Sequence, residues 1–486
     1  MPVATLHSAP SVGKSNKQTP RVLALDALRG LAMVGMILSG AIPHLDTLPG
    51  WMFHAQVGPP SFKYIPEVVG ITWVDLVFPF FLFTMGAAFP FALSSRISRG
   101  ERIPTLFWQT TKRAALLVFF AIFLQHLKPW TLSSNPDASV WGLSLVAFGI
   151  MVMVFTKFKK LQTRNARIVQ VSGFLLAGIA LWVVQAFYGV KFSPNRSDII
   201  ILVLANMAFF GALIWLLTRQ HMLLRLGIMG LLLAMRLAHT ESDSWNLWLW
   251  NLTPAGWLYT FYFCQYLFIV IPGTIVGDLI IKWIKQGEHE EALSVNEYNR
   301  LYGTVAILLT ALLVNLIGLY GRYLTTTLVV DLLLCSGLFW LLKSMKSDFG
   351  KHCFDLAQWG IYWLLLGISF EAYEGGIHKD SPTLSYYFVT VGLAIFTYLF
   401  FSITLDFMKW SSALKWLVMT GQNPMVGYVG ASFVVLPILS LLHLIQPLDA
   451  MQDIHPWLGV MRGLVITGLD IWIAIWFTKK QLFWKT

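Results

Sequence analysis

Fourteen apolar runs punctuate the chain, near residues 22–43, 72–94, 113–127, 139–155, 168–189, 199–217, 221–238, 256–281, 303–321, 325–343, 355–371, 384–405, 425–446 and 457–477. A helix needs about 20 such residues to cross a bilayer core. In lipid each backbone N–H and C=O must find its partner within the protein. The runs therefore predict an all-α, polytopic integral membrane helix bundle. Some runs are short enough to be re-entrant or interfacial, so eleven to fourteen crossings are expected. Residues 1–20 read as a polar cytoplasmic tail with no cleavage site, and residues 21–486 as one domain sitting in the lipid bilayer.

Only 12% of the 486 residues are charged and 56% are hydrophobic, about half the charge of a soluble domain. The net charge of +11 does not mark a nucleic-acid surface, because Lys and Arg sit in short linkers between apolar runs. They fall in alternate linkers: Arg96, Arg99 and Arg102; Lys157, Lys159 and Lys160; Lys282 and Lys285; Lys343, Lys346 and Lys351; Lys479, Lys480 and Lys485. By the positive-inside rule these linkers and both termini are cytoplasmic. Cys264, Cys335 and Cys353 have no paired spacing, so neither a disulfide framework nor a zinc site is expected. No internal repeat is evident, which argues against a transporter built from inverted repeats.

The chemistry concentrates where acids and imidazoles meet apolar sequence. Gly70-Ile-Thr-Trp-Val-Asp75-Leu-Val-Phe-Pro79 puts a carboxylate at the opening of a span, and an intramembrane acid is a functional candidate. His54 lies upstream in Trp51-Met-Phe-His-Ala-Gln56, in the first outer loop. Imidazole titrates near neutrality and can serve as base or nucleophile. His44, Asp46 and Asp75 match no metal-ligand spacing, and no metal is expected. Asp26 and Arg29 are three apart on the first helix and can pair; the other reading has Arg29 holding an anionic ligand. Pro272-Gly273 interrupts a span, either as a tolerated kink or as the widening of a cavity that admits a ligand, with Asp278 near its inner mouth. The loop Glu374–Tyr387 is rich in hydrogen-bonding groups, including Lys379 and Asp380, and Tyr386 and Tyr387 could offer faces to a sugar ring. There is no nucleotide-binding glycine loop and no GxSxG motif.

Leu25-Asp-x-Leu-Arg-Gly30, then His54-Ala, then Gly70-x-Thr-x-x-Asp-Leu-Val-Phe-Pro-x-Phe-x-Phe-x-Met-Gly86 resembles the heparan-α-glucosaminide N-acetyltransferase family of transmembrane acyltransferases, in its bacterial branch. The match covers roughly residues 21–95, with weaker echoes at Leu384-Ser-Tyr386 and Gly421-x-Asn423. The resemblance implies acetyl-CoA entering from the cytoplasm and an acetyl group delivered to an amino sugar or glycan on the other face. It assigns catalysis to His54; on physical grounds Asp75 could orient the ring and stabilise its cation. Arg29, Lys112, Arg113 and Asp278 are the candidates for the CoA side. His44, His126, Lys379, Asp380, Tyr386 and Asn423 are those for the acceptor side. Two departures stand out. The insert Val57–Pro66 separates the histidine from the Gly-x-Thr block, and Ser39-Gly40 replaces the family's helper asparagine. The expected location is a bacterial cytoplasmic (inner) membrane, with a homodimer left open. The competing expectation is a proton-coupled transporter of a sugar or organic anion that uses Asp75 and Asp278.

Overall fold

The structure, a computed structural model, describes residues 22–159, 161–286 and 293–485. The expected cytoplasmic tail and Lys160 lie outside the described residues. The described chain is all-α. Its helices are α1 (Leu23–Ala41), α2 (Trp73–Ile97), α3 (Ile103–Leu127), α4 (Ala138–Phe155) and α5 (Thr163–Tyr188). Then come α6 (Ile199–Thr218), α7 (Met222–Ala238), α8 (Leu267–Lys285), α9 (Val295–Tyr320) and α10 (Leu324–Lys343). The last five are α11 (Asp348–Ser369), α12 (Leu384–Phe401), the short α13 (Ser411–Gly421), α14 (Pro424–Leu441) and α15 (Pro456–Lys479). All fourteen apolar runs became helices. Not foreseen were α13 and the short helices Pro129–Leu132, Trp245–Trp250 and Ile445–Ile454, each too short to register as an apolar run of its own.

Thirteen helices among the described residues are long and apolar enough to cross a membrane. The α7 helix, with 17 residues, falls short by length, yet it reaches both ends of the bundle. In its first turn Arg225 binds Asp278 near the end of α8, and Thr218 at the end of α6. In its last turn Arg236 binds Glu374 in the α11–α12 loop. A helix of this length extends about 25 Å, so α7 makes the fourteenth rod.

Contacts across linkers define the two ends. At one, Lys157 N donates to Phe483 O at 3.0 Å and Lys485 N donates to Phe155 O at 2.8 Å, joining the α4–α5 linker to the segment after α15. There too the amides of Lys346 and Ser347 donate to Glu297 at the start of α9. This end carries the Lys/Arg-rich linkers, and we call it the basic end. At the other, the far end, the α1–α2 loop meets the α11–α12 loop, and Arg322 between α9 and α10 pairs with Glu371 at 2.5 Å.

Pro272-Gly273 does not open a cavity. The α8 helix runs through Pro272 and lies directly on α2. A Cβ on Gly273 would strike Phe83 O, one on Gly277 would strike Ala87 O, and one on Gly86 would strike Val270 O. Small residues four apart let two backbones approach closely where lipid offers no hydrophobic drive to pair. The α2–α8 seam fixes α2, the helix that carries Asp75.

Candidate functional site

The site begins with a helix cap. Thr72 Oγ1 accepts from Val74 N at 3.3 Å, and Asp75 Oδ2 accepts from Thr72 N at 2.9 Å. This is a reciprocal capping box. Asp75 therefore lies in the first turn of α2, where the helix dipole favours negative charge, and not deep in the span. The same two residues hold the loop before them. Thr72 Oγ1 donates to Phe53 O at 2.7 Å, and Ala55 N donates to Asp75 Oδ2 at 3.3 Å. The backbone on either side of His54 is thus gripped by the cap.

With Oδ2 so engaged, Asp75 Oδ1 faces the imidazole. It lies 2.6 Å from His54 Nδ1, off the ideal direction of a ring N–H bond, and 3.9 Å from Lys379 Nζ. On the ring's other side Nε2 lies 2.8 Å from Asp380 Oδ2. Gln56, two residues after the histidine, accepts from Asp380 N at 2.8 Å and donates to Asp380 O. Tyr64 OH also donates to Asp380 O, at 2.6 Å. One histidine therefore sits between two carboxylates, with Asp75 fully buried and the Asp380 side chain 45% exposed.

Burial alone would lower the His54 pKa, but the hydrogen bonds to Asp380 and Asp75 outweigh it and the net shift is upward. Burial would raise the Asp380 pKa, but the bond to His54 and the charge of Lys379 outweigh it and the net shift is downward. Two windows follow. A raised histidine contributes stability fully below its unfolded pKa of about 6.5 and loses it as pH rises through the folded value. A depressed aspartate contributes above its unfolded value of about 3.9 and loses it as pH falls through the folded one. The thermal midpoint gap between wild type and Asp380→Asn is expected to be widest near about pH 5–6 and to narrow as His54 deprotonates. A gap that stays constant from about pH 5 to 9 would refute a charged contact.

At the basic end lies an open cavity of ≈ 990 Å³. Its cations come from five places: Arg96 of α2, Lys112 and Arg113 of α3, Lys157 and Lys159 of the α4–α5 linker, Arg167 of α5, and Lys485. No Asp or Glu is among its described lining residues. Seven cations around one cavity attract a multivalent anion, even though Arg96 already has Glu101 at 3.8 Å. Lys485 belongs to a strap held against the α4–α5 linker: Trp484 N donates to Asn423 Oδ1 at 3.1 Å, and the Trp484 ring packs on Phe120, Phe148 and Phe155.

The remaining candidates fall elsewhere. Arg29 is not among the cavity's lining residues; it pairs with Asp26 at 3.3 Å. Asp278 is engaged by Arg225 at 2.7 Å and by Trp215 Nε1 at 3.0 Å, which corrects its expected place at a ligand mouth. Tyr386 offers no face to a sugar: it is fully buried and its OH donates to Asp75 O at 2.8 Å, under the site. Tyr387 is likewise fully buried. Asn423 lies at the basic end, its amide spent on Leu482 O and Trp484 N. His126 is 1% exposed, with Nδ1 on Ile122 O and Nε2 accepting from Ser193 N. Both nitrogens are used, so it ties α3 to the α5–α6 loop. His44 is exposed and packs on Phe53 and Phe62, beside the loop but in no contact with the imidazole that the structure records. Of the acceptor-side set, the fold brings Lys379 and Asp380 to His54. Gln56, Tyr64 and Thr72 escaped sequence reading. Thr72 alone left a signal, as the first residue of a Thr-x-x-Asp capping pattern.

Among known families, the model of a domain of unknown function, DUF5009, matches residues 21–280, more than half of the chain. No curated protein matches it.

Proposed function

We propose that this chain, which belongs to the DUF5009 family, is a membrane-embedded acetyltransferase of the kind its motifs resemble. It would take the acetyl group from cytoplasmic acetyl-CoA and deliver it to an amino sugar or related glycan on the far face. The observation that carries this reading is the pairing of one imidazole with two carboxylates at the far end of α2, while a cavity lined by seven cations lies at the other end. Arg96, in that cavity, is 21 residues from Asp75 along α2, or about 31 Å. The CoA phosphates would rest among Arg96, Lys112, Arg113 and Lys485. The pantetheine arm would run between α2, α3 and α6 along Phe89, Phe81 and Phe78. A small apolar cavity against Met33, Met36 and Leu204 lies on that line.

The chemistry follows from the ring's two partners. An acceptor ammonium must lose its proton before nitrogen attacks the thioester carbonyl. With Asp75 holding Nδ1, the base is Nε2, where Asp380 now sits. An acceptor that displaces Asp380 from Nε2 removes one of the groups that raise the His54 pKa. The neutral base would thus arise as the substrate arrives. The ammonium gives its first proton to water; as the C–N bond forms and the C–S bond breaks, a second amine proton passes to His54, which returns it to the sulfur so that CoA leaves as the thiol. The transporter reading would need Asp75 and Asp278 as free proton carriers; the first is spent in a cap and the second on Arg225.

Acetyl-CoA is expected to raise the thermal midpoint of the purified protein, since a ligand at 100 times its Kd stabilises the folded state by about 2.7 kcal/mol. Arg113→Glu should abolish most of that protection, and Arg29→Ala should leave it. The decisive assay follows CoA release and acetylation of glucosamine. The absence of both protection and CoA release would remove acetyl transfer from consideration. Binding of a solute with indifference to CoA would favour transport.

A further inference from the structure

We infer that Arg236 is a positioning residue for the His54–Asp380 pair, acting by closing the loop that carries Asp380. Asp380 is not on a helix. It lies near the tip of the segment between α11 and α12, 326 residues from His54 in sequence. Something must hold that segment, because ordering a loop costs roughly 1–2 kcal/mol per residue.

Arg236 is placed to do so from outside the loop. It projects from the last turn of α7 and is 8% exposed. Its Nε and Nη2 donate to Glu374 Oε1 at 3.1 and 2.7 Å, and Nη2 donates to Pro382 O at 2.7 Å. Glu374 and Pro382 are the two shoulders of the loop, so one guanidinium spans it like a chord. Nη1 completes the set on Gln265 Oε1, tying the chord to the segment that leads into α8. Glu374 is itself fixed, with Oε2 accepting from Leu384 N at 2.7 Å, at the start of α12. The guanidinium also stands 5.6 Å over the Tyr387 ring.

The fork geometry is what the site requires. Three acceptors in different directions suit the planar, many-donor guanidinium, whereas an ammonium is a point charge that cannot hold all three in register. Arg236 touches none of the groups on the imidazole. The charged groups facing His54 are Asp75 from α2 and Lys379 and Asp380 from the loop, with His378 and Tyr64 beside Asp380. Any effect of Arg236 on His54 must therefore pass through the loop. If the chord is cut, Gln56 and Tyr64 still hold the Asp380 backbone, but the loop's shoulders are released and the carboxylate is held less firmly at Nε2. Burial is then opposed less by the second carboxylate, and the imidazole deprotonates at lower pH.

The inference concerns the same site as the proposed transfer, but its test reads the imidazole itself and stands or falls apart from that reaction. Diethyl pyrocarbonate modifies neutral imidazole, so its rate on the His54 peptide, followed by mass spectrometry across pH, gives the ring's midpoint in the full-length protein. Asp380→Asn sets the scale and is expected to lower the midpoint by about one unit. Arg236→Gln should reproduce at least half of that shift, and Arg236→Lys should lie between it and wild type. A role confined to stability would lower the thermal midpoint and leave the His54 midpoint where it was. Should Arg236→Gln not fold, Glu374→Gln cuts the same chord from the loop side, and the same shift is required of it. The inference is overturned if the cut chord titrates like wild type while Asp380→Asn does not. It is equally overturned if Asp380→Asn fails to move the midpoint.

Discussion

His54→Ala is expected to lower acetyl transfer by about 10²–10⁴-fold, the range for loss of a general base, while acetyl-CoA still protects the protein. The two readouts separate because they belong to opposite ends of α2. The variant cannot touch the basic cavity, which is built at the other end by α3, α5, the α4–α5 linker and the strap. This loop histidine is not removable without cost, because it stands between two carboxylates. Without it, the fully buried Asp75 keeps its cap and Lys379 at 3.9 Å but loses the imidazole, a loss of about 1–3 kcal/mol. Transfer should therefore be measured well below the variant's own melting temperature. Asp75→Asn should act more mildly on rate than His54→Ala if the acid orients the ring. Undiminished turnover in His54→Ala would remove the residue from the mechanism.

The largest loss of stability is expected from Arg225→Ala. Arg225 is 1% exposed and donates to Asp278 Oδ2 at 2.7 Å, Thr274 Oγ1 at 2.9 Å and Thr218 Oγ1 at 3.2 Å. It thereby joins α6, α7 and α8 at the basic end. Removing one partner of a buried pair costs about 3–5 kcal/mol, because the other charge is stranded. The side chain of Asp278 is 35% exposed, so part of its charge stays solvated and the lower end of that range applies. Neutralising both, as Arg225→Met with Asp278→Asn, should recover much of the loss, the signature of coupled sites. Thermal midpoints of the three variants in one detergent would show it. A single variant as stable as wild type would mean that the pair contributes nothing net.

The bundle was legible because its signal is local. An apolar run of spanning length is a helix in lipid wherever it occurs, and all fourteen runs obeyed. At Pro272-Gly273 the cavity did not form, and the helix runs through the proline. Gly273 and Gly277, four apart, already carried the close-packing pattern. His54 and Asp75 were legible from residue type and proximity to a span. The role of Asp380 was not, since nothing in its neighbourhood states that the loop after α11 folds over the loop after α1. The burial of Tyr386 and Tyr387 has the same origin. They open α12, which is surrounded by other helices almost throughout, and no composition of the loop before it could say so. Asn423 looked like part of a polar turn, and only the return of the chain after α15 gives its amide partners.

The separation of His54 from Asp380 also has a temporal side. Ribosomes add about 5–20 residues per second, so the 326 residues between the two take roughly 16–65 s to make. During that interval the first loop has emerged and its imidazole has only Asp75 beside it. Ten further helices, α3 to α12, must be inserted before or as the second carboxylate docks. A prematurely terminated chain would carry the DUF5009 region whole and still lack half of the pair. Competence at this site would thus be a late event in biogenesis, conferred on the finished bundle and withheld from its fragments.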